Sequence, residues 1–297
     1  MTTPTVIIAR MRSFASLVKL SHSVFALPFA VLSLLAATAG RPSPSLLLLV
    51  IAAVVAARTA AMAYNRYADR ALDRENPRTA GRELPRGEVS PRAALILTAA
   101  ASLAFLGVCR LLSPLCFWLS VPTLAWLLAY SHVKHFSMWC HVWLGVALGL
   151  SPLAAWLAAD GAFGPRLLAP LVLGLAVTTW VAGFDVLYAC QDEDFDRAHG
   201  LHSIPARFGA FCAMACSRAL HTAAVVLFAA FGLLVPLGIA FQAGVGLTVL
   251  LLVWQHRLLR PEDLSRIHVA FFTANGTIAV VMFVAGCVDI YLLPRVH

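Results

Sequence analysis

Long apolar runs separated by short polar breaks dominate this chain. Runs of about 20 residues are long enough to cross the hydrocarbon core of a bilayer as a helix. They fall near 21–40, 45–64, 92–110, 114–131, 139–158, 166–187, 209–231, 233–254 and 268–291, with Pro, Gly and charged residues marking the breaks. Ahead of them, residues 5–20 are modestly amphipathic and carry Arg10, Arg12 and Lys19, as an interfacial segment would. The pattern predicts an all-α membrane protein, nine transmembrane helices in a bundle, as a single domain over residues 1–297. A competing reading takes the N-terminus, with its basic residues, apolar run and Ala37-Thr38-Ala39, as a cleavable signal peptide, leaving eight spans.

Composition supports the membrane assignment. Of the 297 residues, 61% are hydrophobic and 12% charged, against about 25% charged in soluble domains. The mean hydropathy is +0.84. The net charge of +8 therefore has to be read by position, and the basic residues lie in short loops. That distribution argues against nucleic acid and for topology, anionic lipid and a phosphorylated ligand. With the N-terminus inside, the segments 1–20, 65–92, 132–138, 188–208 and 255–267 face the cytoplasm. Between the spans and at the ends, only Arg41, Arg110, Arg166 and Arg295 fall on the other side. The positive-inside rule favours this orientation in the cell membrane. The bilayer and small molecules are the partners expected, with no protein partner. The seven cysteines show no CxxC or zinc spacing and read as small buried residues, Cys212 and Cys216 sharing one helical face.

Two polar clusters stand out. Between the second and third spans, Asn65, Asp69 and Asp73 recur every four residues. Each step drifts about 40° on a helix, so the three oxygen-bearing side chains share a face. Six arginines from Arg66 to Arg86 are interleaved at the same spacing. Hard oxygen ligands of this kind suit Mg²⁺, which takes further ligands from water and substrate phosphates. The bland reading is a polar loop capping the second span, held by Arg–Asp pairs. The second cluster, near the sixth span, holds Asp185, Tyr188, Asp192 and Asp196 at helical spacing i, i+3, i+7 and i+11. A solvated acidic loop explains Glu193 and Asp194 but not Asp185, which sits within an apolar span where ionisable groups are costly.

The stretch NRYADRALDRENPRTAGRELP and the stretch YACQDEDFDRAHGLHSIPARFG resemble the first and second aspartate-rich motifs of the UbiA superfamily of intramembrane prenyltransferases. The resemblance covers the whole chain and implies a nine-helix bundle around a central cavity. It implies that the motifs bind Mg²⁺ and the diphosphate of a polyprenyl donor, with Asn65, Asp69, Asp73, Asp192 and Asp196 at the metal positions. Arg78 and Arg82 match the basic residues after the first motif, and Tyr130 and Lys134, in YSHVKHF, match a tyrosine and a diphosphate-binding lysine. Arg58, seven residues before Asn65, matches an arginine that meets the carboxylate of the aromatic substrate. Read from the residues alone, Arg58 needs a partner such as Asp185 or that carboxylate.

Two positions depart from the family pattern. Arg66 stands where many members carry Asp, removing one carboxylate, and His202 stands where relatives often have a basic residue before Ser203. YACQDEDFD is similar to members acting on 4-hydroxybenzoate, whereas KLSHSVFALPFA and NRYADRALD are closer to the branch acting on dihydroxynaphthoate acids for menaquinone. Both acceptors are small hydroxylated aromatic acids used in quinone synthesis. The implied reaction is electrophilic aromatic prenylation, with Asp185 orienting the ring or taking its proton. The rival class is a transporter of an anionic metabolite, using Arg58 and Asp185 as intramembrane sites. Other polar residues carry blander expectations. His22 snorkels, His132, His135 and His141 lack metal spacing, Asn275 hydrogen-bonds a neighbouring helix, and the tryptophans form interface belts or packing.

Overall fold

The computed structural model describes Leu17 and residues 25–235 and 237–292. The rest of the amphipathic N-terminal segment, His22, the start of the first span and Arg295 lie outside the described residues. Among the described residues eleven α-helices follow in order: α1 (Leu27–Ala37), α2 (Pro44–Ala68), α3 (Arg70–Glu75), α4 (Pro91–Leu112), α5 (Pro114–Val133), α6 (Cys140–Asp160), α7 (Leu168–Ala189), α8 (Glu193–Ala198), α9 (Ile204–Leu234), α10 (Ile239–Arg257) and α11 (Asn275–Tyr291). Single 3₁₀ turns lead into α7 and α8, and a π-helical turn, Val269–Ala274, leads into α11. Among the described residues, eight helical segments are long and apolar enough to cross a membrane, and α1 is a shorter apolar helix. This is the architecture of a multi-pass integral membrane protein, matching the expected spans apart from their ends.

The chain divides into two compact units, one holding residues 52–132 with Leu17 and the other residues 25–51 and 133–292. In the first, Leu17, Ala63, Leu84, Val89 and Ala94 form one buried cluster. Ala53, Phe105 and Cys109 form another. The cluster at Leu84 and Val89 anchors the polar loop 76–90 to α2 and α4. Ser90 ends that loop and caps α4, its hydroxyl accepting from the Ala93 amide at 3.2 Å, with Pro91 preset for the first turn.

The second unit is built on α7, whose Trp180 is fully buried with Phe29 and Phe228. Trp180 Nε1 donates to Asn275 Oδ1 at 3.1 Å. The Asn275 side-chain amide in turn donates to the Phe271 carbonyl within the π-turn at 2.9 Å. Asn275 thus bridges helices as its sequence context suggests. Helices α6 and α7 approach at backbone distance. A Cβ on Gly174 would lie 2.8 Å from the Gly149 carbonyl, and one on Gly145 would collide with that of Thr178. Such close approach of small residues is how helices associate in lipid, where apolar burial gives no drive.

Two boundaries move for identifiable reasons. The expected start at residue 209 corresponds to a break inside α9, where Gly209 has φ 79° and ψ 163°. That backbone suits glycine, and Ile204–Phe208 form a separate first turn before it. The eighth span was expected from residue 233, yet α10 begins at Ile239. There Asp289 of α11 accepts from the amides of Phe241 and Ala240 at 2.7 and 3.3 Å and fixes the start.

Candidate active site

The first motif is not one continuous α-helix. α2 stops at Ala68 and α3 begins at Arg70, with Asp69 between them at φ −82° and ψ 0°. The hydrogen-bond register survives, since the Asp69 amide reaches the Asn65 carbonyl at 2.9 Å and the Asp73 amide that of Asp69 at 2.8 Å. The side chains therefore still stack along one side. Asn65 Nδ2 donates to Asp69 Oδ2 at 3.0 Å and to Ser131 Oγ of α5 at 3.4 Å. Spending both amide hydrogens this way leaves the Asn65 carbonyl oxygen as the group available to a cation.

Asp73 is buried. Its Oδ1 accepts from Arg82 Nη1 at 2.6 Å, while its Oδ2 is buried with no hydrogen-bond partner among the described residues. An orphan carboxylate oxygen in a nearly closed site is costly unless a cation meets it. The loop that delivers Arg82 is tied down locally. Thr79 Oγ1 donates to the Asp73 carbonyl at 3.1 Å, and Asn76 Oδ1 accepts from the Arg78 amide at 2.9 Å. The Arg78 side chain is exposed at this loop, and Arg58 and Tyr130 are half-buried on α2 and α5. Arg66 is 4% exposed, with Asp73, Glu83, Asp69 and Arg82 as its charged neighbours. The departure from the family pattern therefore places a buried cation inside the motif rather than a solvent-facing one.

In the second motif α7 gives way to the turn Cys190–Asp192 and then α8, so Asp185, Tyr188, Asp192 and Asp196 do not lie on one uninterrupted helix face. Asp196 is buried and accepts from the Ser203 hydroxyl, with Lys134 and Asp192 within electrostatic reach. Ser203 also caps α9, its Oγ accepting from the Ala206 amide at 3.2 Å. The Lys134 carbonyl accepts from the His202 amide at 2.7 Å, which binds the segment after α5 to the segment after α8. Glu193 pairs with Arg197 at 2.7 Å and Asp194 is fully exposed, as expected of a solvated stretch. Tyr188 packs on Phe271, ring centroids 4.2 Å apart.

Two side-chain pairs near the motifs have no signal in the sequence. Asp185 is met by His141 Nδ1 at 2.7 Å. Forty-four positions separate the two residues, and only the packing of α6 on α7 reveals the pair. Tyr64 and His132 pair at 2.9 Å. Among the described residues no three His, Cys, Asp or Glu side chains converge as a ready-made metal cage. The buried Asp73 Oδ2, unpartnered among the described residues, is the kind of hard oxygen that Mg²⁺ takes as a ligand.

Residues 26–283 match the sequence model of the UbiA prenyltransferase family. The chain belongs to the UbiA prenyltransferase family. Within this family it is 33% identical, over 84% of either chain, to a 4-hydroxybenzoate octaprenyltransferase of Aromatoleum aromaticum. The apo structure of a UbiA homolog from Aeropyrum pernix K1 covers 90% of this chain and 98% of that one at a TM-score of 0.82 and 37% identity. A UbiA homolog from Archaeoglobus fulgidus, bound to GPP and Mg²⁺, shares the fold at a TM-score of 0.74 and 21% identity, covering 94% of this chain and 100% of that one.

Proposed function

We infer that this UbiA-family enzyme transfers a polyprenyl group from polyprenyl diphosphate to a small hydroxylated aromatic acid of the 4-hydroxybenzoate type, for quinone synthesis. Family membership replaces the transporter reading. The observation that carries the inference is the Asp73 carboxylate, held through one oxygen by Arg82 and left with the other buried and unmatched. A carboxylate in that state calls for a cation, and the names of the relatives supply the substrate class.

In this reading Asn65, Asp69 and Asp73 of the first motif, and Asp192 and Asp196 of the second, would hold Mg²⁺. The bound metal supplies charge that stabilises the departing diphosphate. Lys134, Arg78 and Arg82 add fixed positive charge to the same leaving group. Breaking the C1–O bond releases diphosphate and an allylic cation, which the apolar helices shield from water. Arg58 holds the carboxylate of the acceptor, and Tyr130 and Tyr188 line its approach. The ring attacks C1, and Asp185 takes the proton lost from the ring carbon. A cytoplasmic position of both motifs in the cell membrane belongs to the same proposal, since a diphosphate and an aromatic acid arrive from water while the polyprenyl tail stays in lipid.

The test is transfer from labelled polyprenyl diphosphate by the purified protein, with 4-hydroxybenzoate or a dihydroxynaphthoate as acceptor and Mg²⁺ present or chelated. Mg²⁺-dependent product with 4-hydroxybenzoate is expected. Asp73→Asn and Asp192→Asn should each lower the rate by about a hundredfold or more while the protein stays folded. Full activity in both variants would remove the metal assignment, and product from neither acid would remove the acceptor assignment.

A further inference from the structure

We propose that His141 is a positioning residue that, as one fixed neutral tautomer, clamps the carboxylate of Asp185 so that it meets the aromatic acceptor in one orientation. The proposal rests on the reading above that Asp185 handles the acceptor. His141 lies in the first turn of α6, and its side chain is 3% exposed against 19% for Asp185. Its two ring nitrogens have different partners. Nδ1 is 2.7 Å from Asp185 Oδ2, and Nε2 receives the backbone N–H of Ile204 at 3.3 Å.

The second contact decides the protonation. A backbone amide only donates, so Nε2 has to offer its lone pair. The ring proton is then on Nδ1 and points at Asp185. A doubly protonated ring would set two donors face to face at Ile204. The opposite tautomer would do the same and would also set a lone pair against the carboxylate. The Ile204 amide itself belongs to the opening turn of α9, whose first N–H groups have no helical partner. Ser203 satisfies the Ala206 amide, and His141 satisfies the one at Ile204.

The clamp is stiff because each end is fixed. Gly145 and Gly149 of α6 lie against Gly174 and Thr178 of α7 with no room for a Cβ, so the helices carrying His141 and Asp185 cannot slide freely. Ser203, adjacent to Ile204, donates its hydroxyl to Asp196. The acceptor-side carboxylate and a candidate metal-binding carboxylate are thus held through the same short segment, Ser203-Ile204. With Oδ2 engaged by the His141 ring, Asp185 presents its other oxygen in a defined direction.

The experiment compares His141→Asn, His141→Gln and His141→Leu in the full-length protein in nanodiscs. The amide nitrogen of Asn falls where Nδ1 lies, whereas that of Gln reaches toward Nε2. Asn is therefore expected to keep acceptor kinetics near wild type. Gln and Leu are expected to lose about tenfold or more in kcat/KM for the acceptor, with the KM for polyprenyl diphosphate unchanged. Asn as impaired as Leu, or Leu as active as wild type, would overturn the proposal. The Asn and Gln comparison stands even where Leu fails to fold. Independently of activity, ¹⁵N-histidine NMR of the wild type should show a protonated Nδ1 and an unprotonated Nε2 for the signal that vanishes in His141→Asn. A doubly protonated ring or an Nε2–H tautomer overturns the proposal. Wild-type protein that shows the Nδ1–H signature but prenylates no aromatic acid would count against the proposed reaction and not against the clamp.

Discussion

Removing Arg82 would strip the 2.6 Å hydrogen bond to Asp73 Oδ1 and leave the buried Arg66 as a cationic neighbour without that bond. Arg82→Met is expected to lower the unfolding free energy by about 1–3 kcal/mol in Mg²⁺-free detergent. Asp73→Asn on that background should recover part of the loss, because it removes the buried charge that has lost its hydrogen-bonded partner, yet it should not recover prenyl transfer. A chemical-denaturation series over the two single variants and the double variant measures the coupling. Additive losses would show that the pair is not an energetic unit. Arg66 teaches the complementary lesson. In the sequence it reads as a missing ligand, but its burial beside Asp69, Asp73 and Glu83 makes it part of the charge balance of the motif. Only burial distinguishes those two meanings, and burial of a single arginine is not written in a four-residue spacing.

Helix packing sets the distance between His141 and Asp185, and the glycine contact between α6 and α7 is the part most open to perturbation. Gly145→Val would drive its side chain into the Thr178 carbonyl, an overpacking that costs typically about 1–3 kcal/mol. The expected result is a lower thermal midpoint together with a fall in kcat/KM for the acceptor, because separated helices unseat the clamp. A variant with lowered stability and unchanged acceptor kinetics would show that the two helices can shift without moving the pair. At this scale the spans themselves were legible, since a run of about 20 apolar residues has few other fates. Their ends were less so. The start of α10 depends on Asp289, 49 positions from the Ala240 amide it accepts, and no local signal announces a cap from another helix. Asp289 also limits the rule that an acid inside a membrane span is functional. Its two amide bonds account for it as a cap at the positive end of a helix. Asp185 differs in its partner, a histidine on the neighbouring helix in place of a backbone helix start.

Orientation is a property of the whole chain, and the loop charges argue for it. The arginines of 65–92 and 255–267 belong on the cytoplasmic side, and Arg41 and Arg166 on the other, if the positive-inside rule governs insertion. The seven cysteines are all free thiols, so a cysteine-free background can be built without breaking a disulfide, and single reporters can then be placed in loops. Gly81 and Gly164 suit this purpose, because a Cβ at either meets nothing within 4 Å. In intact cells Gly164→Cys should react with a membrane-impermeant maleimide and Gly81→Cys should not. Gly81→Cys should become reactive only after permeabilisation. The reverse pattern would put Asn65, Asp69 and Asp73 outside the cell and remove cytosolic supply of the diphosphate donor. The expected pattern leaves a short physical route for each substrate. The charged head enters from cytosol at the arginine-rich loop, the tail remains in hydrocarbon, and product leaves by lateral partition into the bilayer without any polar group crossing it.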